Sequence, residues 1–191
     1  MLASLKAVAA MLDASALRRH QHILAVLPRV GKLADIAGLP QVERLQATLK
    51  RRRMSPDDLA KTPVTLQTEH GGLCAFVMLD RNKPRFEQLA ALRRAIDALL
   101  DEQPSSLAIG VFGDEPLRAA LAREALYVAW INGVPLPARK KKDERHALRS
   151  IRLYGHPAGE DLDAVAAIAL SLIHISEPTR RTPISYAVFC L

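Results

Sequence analysis

Leu107-Ala108-Ile109-Gly110-Val111-Phe112 runs directly into Gly113-Asp114-Glu115-Pro116. An uninterrupted apolar run of this length suits a strand buried on both faces. A glycine turn, an aspartate at the capping position and a proline in the first turn are the start signals of a helix. Leu117, Leu121, Leu126 and Val128 point inward from that helix, which is expected to run to about Ile131 and to stop at Asn132-Gly133, with Pro135 and Pro137 beyond. A buried strand handing over to a helix is the repeating unit of a parallel α/β sheet.

The same alternation extends outward in both directions. On the N-terminal side, residues 83–103 predict the clearest helix, with Phe86, Leu89, Leu92, Ile96, Leu99 and Leu100 on one inward stripe and Pro104 closing it. Before it, residues 64–68 and 73–79 read as strands joined at His70-Gly71-Gly72, a hairpin whose glycines accept a tight turn. Ser55-Pro56-Asp57-Asp58 is a helix start, and residues 41–53 form a helix with Val42, Leu45 and Leu49 at helical spacing. Residues 21–27 are a buried strand ended by Pro28. On the C-terminal side, Ile151 and Leu153 alternate with Arg152 in a half-buried strand over residues 150–154, ended by Gly155-His156-Pro157, and residues 161–169 start a last helix. The fold class that follows is α/β, a mixed sheet with flanking helices and one hairpin.

The organisation expected along the chain is a ragged segment over residues 1–20, an α/β domain over 21–157, the start of a linker helix over 158–169 and a non-native tail over 170–191. Residues 1–12 are apolar apart from Lys6 and read as a ragged start or a short helix, with Met11 as an alternative first residue. The tail reads LSLIHISEPTRRTPISYAVFCL, and the helical period is expected to stop where it begins. The transposase end of a sequencing adapter, CTGTCTCTTATACACATCT, translates in one frame to Leu170-Ser171-Leu172-Ile173-His174-Ile175. The rest of that adapter supplies Ser176-Glu177-Pro178-Thr179-Arg180. Its outer end, ATCTCGTATGCCGTCTTCTGCTTG, supplies Ile184-Ser185-Tyr186-Ala187-Val188-Phe189-Cys190-Leu191. Residues 170–191 are therefore expected to pack poorly, having evolved against no core. His174 and Cys190 are not read as ligands.

The formal charge is +7, much of it in Lys50-Arg51-Arg52-Arg53 and Arg139-Lys140-Lys141-Lys142. Such runs are ordinarily solvated faces, and their functional alternative is phosphate or weak nonspecific DNA contact. Two cysteines are too few for a disulfide framework, and Cys74 sits in an apolar run as a small core residue, which fits a reducing, cytoplasmic setting. The apolar stretch at residues 164–175 is shorter than the roughly 18–20 residues a membrane span needs. No HExxH, CxxC, GxSxG, Walker loop or GxGxxG is present. His20 and His22, two apart ahead of a strand, are expected to face the same side in surface or capping roles. Tyr127 and Trp130 read as packing residues. No catalytic, cofactor-binding or metal-ligating residue is assigned to this chain.

Residues 62–155 resemble the N-terminal domain of the leucyl (cytosol) aminopeptidase family. The shared order is a hairpin, a long helix, the strand ending in Gly113, a helix carrying Glu124-Ala125-Leu126-Tyr127, a lysine-rich loop and the strand over 151–154. Asn132-Gly133-Val134-Pro135-Leu136-Pro137 departs from the usual aromatic-rich end of that helix and is similar to a proteobacterial subgroup, as is the segment over 22–49. The resemblance implies a macrodomain-like fold and a following catalytic domain in which carboxylates and a lysine hold two zinc or manganese ions. It also implies a homo-hexamer, and some members bind DNA. The NTDAEGR-type ligand motif is not in this sequence. The function expected is thus a non-catalytic N-terminal fragment of a two-metal aminopeptidase; the alternative is a stand-alone macrodomain-like or nucleic-acid-binding module using residues 50–53 and 139–142.

Overall fold

A computed structural model describes residues 2–134 and 146–176, with side chains through residue 173. Its centre is β2 (His22–Pro28), the HILAVLP run, flanked on both sides by parallel partners, β5 (Ser106–Val111) and β4 (Leu73–Leu79). Two parallel neighbours explain why every residue of β2 after His22 is buried. The full order is β1-β6-β5-β2-β4-β3, with β1 (Ser4–Val8), β3 (Val64–Gln67) and β6 (Ser150–Tyr154). Among the pairs of these described strands, only β3 against β4 is antiparallel, the hairpin read from the sequence. Its turn closes with the Thr68 amide donating to the Gly72 carbonyl at 2.6 Å.

The strand period of two divides the core between the faces of the sheet. Leu24, Val26, Val77, Ile109, Val111 and Leu153 point to one face, under α3 (Arg85–Leu100), α4 (Glu115–Asn132) and α5 (Glu160–Ser176). Ile23, Ala25, Phe76, Met78, Phe112 and Tyr154 point to the other, under α1 (Ala14–Arg19), α2 (Val42–Arg52) and short 3-10 turns at Leu33–Asp35 and Pro56–Ala60. The molecule is a helix–sheet–helix sandwich of α/β class. Cys74 lies in the second core, where burial pushes its thiol far up.

Five expectations are corrected. The ragged start contains β1, an edge strand in register with β6, and the helix α1, whose N-cap Asp13 accepts the Ala16 amide at 2.7 Å. Phe86 does not join the inward stripe of α3: 82% of its surface is exposed, because the buried face of the helix is the one carrying Gln88, Ala91, Leu92, Ala95, Ile96 and Leu99, and at about 100° per residue Phe86 lies on the far side from it. Asp114 occupies the N-cap of α4 with extended backbone, but its carboxylate accepts no helix amide. His20 and His22 do not face the same side: His20 meets Tyr154 and His22 meets Glu102, because Gln21 lies in a bend between α1 and β2 and breaks the alternation. Finally, the helical period does not stop at Leu170. The helix α5 continues to Ser176, with Ile173 buried and with Leu170 and Leu172 each 40% exposed. Leucine and isoleucine tolerate a helix well enough to extend one already started. Residues 177–191 and the run Arg139-Lys140-Lys141-Lys142 lie outside the described residues.

Candidate functional site

In open parallel sheets, crevices form beyond the carboxyl ends of strands whose outgoing connections leave to opposite faces. The segment leaving β2 runs to the face of α2, and the segment leaving β4 runs to the face of α3. Between them lies a cleft of about 200 Å³ lined by Arg29, Asp57, Lys61, Asp80, Lys83 and Glu87. Arg29 and Asp80 are the first residues after β2 and β4, so the two adjacent strands deliver them side by side.

The cleft is held by paired charges. Arg29 Nη1 donates to Asp80 Oδ2 at 2.9 Å, and Arg29 Nε lies 3.4 Å from Asp57 Oδ1. Asp80 is only 7% exposed, and its second oxygen accepts the Asn82 amide at 3.0 Å. The Lys83 amide donates to the Asp80 carbonyl at 2.9 Å, and Gln88 Nε2 donates to the Lys83 carbonyl at 2.8 Å. Asp58 receives the amide and hydroxyl of Ser55 at 2.7 and 2.8 Å, which hold its carboxyl below the usual range. A buried carboxylate paired in this way ties loops together. No Ser, Thr, Cys or His lines the cleft, so it presents no hydroxyl, thiol or imidazole group. The arrangement is a polar lock at the sheet end.

The histidines are dispersed. His20 Nε2 lies 2.9 Å from the Tyr154 hydroxyl, His22 Nε2 lies 2.7 Å from Glu102, and His156 Nε2 lies 3.1 Å from Asp161. His146 Nδ1 meets Gln103 at 2.8 Å, and His70 is exposed in the hairpin turn. Asp161 also meets Arg123 at 3.3 Å, which joins the start of α5 to α4. Glu124 on α4 is half-buried, and burial raises its carboxyl against the opposing pull of Arg85, Arg81 and Arg123. Among the described residues no three His, Cys, Asp or Glu side chains are grouped to hold a metal ion.

Of the basic runs, Lys50, Arg51, Arg52 and Arg53 are exposed at the C-terminal end of α2. Cations are favoured at that negative end of a helix dipole, which accounts for their position without a ligand. Trp130 and Tyr127 pack against the first core, as expected. The sequence reading missed Arg118, whose Nη1 and Nε donate to the carbonyls of Gly113 and Gly155, both at 2.8 Å. It also missed the pair Arg29–Asp80. The signal for that pair was positional: each is the polar residue ending a buried apolar run.

No family model matches the chain, and no curated protein matches it. Among solved structures it is similar to a mutant of tomato leucine aminopeptidase, with a TM-score of 0.54 at 13% identity. The alignment covers 90% of this chain and 37% of that one. At this identity the likeness is one of fold. No helix among the described residues is long and apolar enough to cross a membrane.

Proposed function

We propose that this chain is the non-catalytic N-terminal domain of a leucyl aminopeptidase-type metalloexopeptidase, separated from its catalytic domain. The observation that carries this reading is the lopsided coverage of the fold match, 90% of this chain against 37% of the aminopeptidase chain. The family resemblance over residues 62–155 points to the same part of the same enzymes. On this reading the parent removes N-terminal amino acids from peptides in the cytoplasm, as a homo-oligomer of the hexameric type. Two divalent ions, zinc or manganese, supply an activated water when bound in the domain that follows. The described residues of this chain do not fit such a centre, since no three donors are grouped. No step of hydrolysis is therefore assigned to them.

The same reading treats residues 170–191 as translated adapter. Leu170 on α5, 40% exposed, is in keeping with a segment that evolved against no core. Two experiments test the reading. The uninterrupted genomic frame past Ala169 should encode an NTDAEGR-like segment; a natural stop within a few codons would instead favour a stand-alone module. Purified chain should fail to hydrolyse leucine p-nitroanilide with added zinc or manganese. Metal-dependent turnover surviving stringent purification would overturn the inactive-fragment assignment.

A further inference from the structure

The most exposed large apolar side chain among the described residues is Phe86, at 82%. A lone exposed phenylalanine is unremarkable on a protein surface, but this one heads a groove of about 700 Å³. The groove floor is α3 itself, where Phe86, Ala90, Arg94 and Ala98 follow at four-residue steps and so share one flank. The opposite wall is the segment Ala60, Lys61, Thr62 and Pro63 with Thr65 of β3. Two alanines on the floor leave room for a side chain entering from outside.

The charges on this flank are self-complementary. Glu87 and Arg94 both line the groove, about two helical turns apart. When a helix packs antiparallel on its own copy, an isologous interface brings residue i to j and j to i. A twofold axis passing beside Ala90 sets Glu87 of each copy near Arg94 of the other. Little opposes this. Glu87 now meets Lys83 at 3.6 Å between exposed side chains, and such pairs are weak. Arg94 uses Nη1 on the Lys61 carbonyl and keeps its other donors. The neighbouring strand edge, β3, is short and follows Pro63, which blunts strand-to-strand pairing. The contact therefore rests on the helix flank.

We infer that this flank of α3 is a self-association face whose occupant is a second copy of the chain, with Phe86 of each copy seated in the groove of the other. The inference goes beyond the aminopeptidase reading and does not depend on it. The test is sedimentation of the full 191-residue chain across a wide concentration range. A monomer–dimer equilibrium is expected. Phe86→Asp should weaken it by about thirty-fold or more, the loss typical of a central aromatic anchor. Glu87→Arg and Arg94→Glu should each weaken it, and the double swap should restore it. Urea unfolding of each variant confirms that the fold is kept. Three results overturn the proposal. They are a monomer at every concentration, as when a different partner covers the groove; association that survives Phe86→Asp, as contact through the exposed leucines of α5 would; and a double swap no better than either single.

Discussion

Trp130 of α4 donates its indole Nε1–H to the backbone carbonyl of Ala3 at 3.0 Å, with the ring almost fully buried. This bond fastens the first strand of the chain to a helix formed more than a hundred residues later. Ser4 reinforces it, its amide donating to the Arg149 carbonyl at 2.9 Å. Trp130→Phe leaves that carbonyl without its donor, and should lower stability by about 1–3 kcal/mol. A chain beginning at Met11 should lose more, because β6 becomes the sheet edge. Urea unfolding measures both; a Met11 form as stable as the full chain would show that β1 contributes nothing.

Gly110 lies mid-strand in β5, where an added Cβ would stand 2.7 Å from Leu12 Cδ2 and 2.8 Å from Leu12 Cβ. Leu12 is fully buried in the space the glycine leaves. Gly110→Ala should cost about 1–3 kcal/mol through overpacking, and Leu12→Ala about 2–5 kcal/mol through the cavity. Together they should cost clearly less than the sum, because each relieves the other. An additive double-mutant cycle would refute the contact.

Burial holds His20 below its ordinary value, with Arg152 and Arg19 pushing the same way. The unfolded chain takes up the proton near pH 6.5, while the folded chain resists it. The stability this supplies is complete above that pH and is lost as pH falls toward the lower folded value. His20→Gln should therefore flatten the acid side of the stability profile, by less than about 1.4 kcal/mol per pH unit, the limit for one proton. His22 beside Glu102 and His156 beside Asp161 are common to both proteins and cancel in the comparison. Parallel profiles between pH 7 and 5 would contradict it.

No ion pair involving Lys50, Arg51, Arg52 or Arg53 occurs among the described residues, so replacing the run with glutamine should change stability by less than about 1 kcal/mol. If the run and its counterpart at residues 139–142 gripped phosphates, about four contacts would give a log–log salt slope near −3.6. The expectation is weak duplex DNA binding at low salt and almost none at physiological salt. Micromolar binding at physiological salt, lost when residues 139–142 become glutamine, would favour the binding module over the enzyme fragment.

Periodicity alone placed β2, β4, β5, β6 and the helices α2 to α4, because each buries a regular face and the period is written locally. It also gave the class, since strands alternating with helices demand crossovers and hence parallel pairing. What it could not give was anything set by a distant partner. The edge strand β1 has mixed exposure and no strong alternation, and it exists because β6 offers a free edge far along the chain. The stripe on α3 correctly grouped Leu92, Ile96 and Leu99 but not Phe86, because the packed face is rotated toward Gln88, Ala91 and Ala95, and only packing against the sheet decides that rotation. The lock of Arg29 and Asp80 likewise depends on β2 lying beside β4, a pairing that no local pattern encodes.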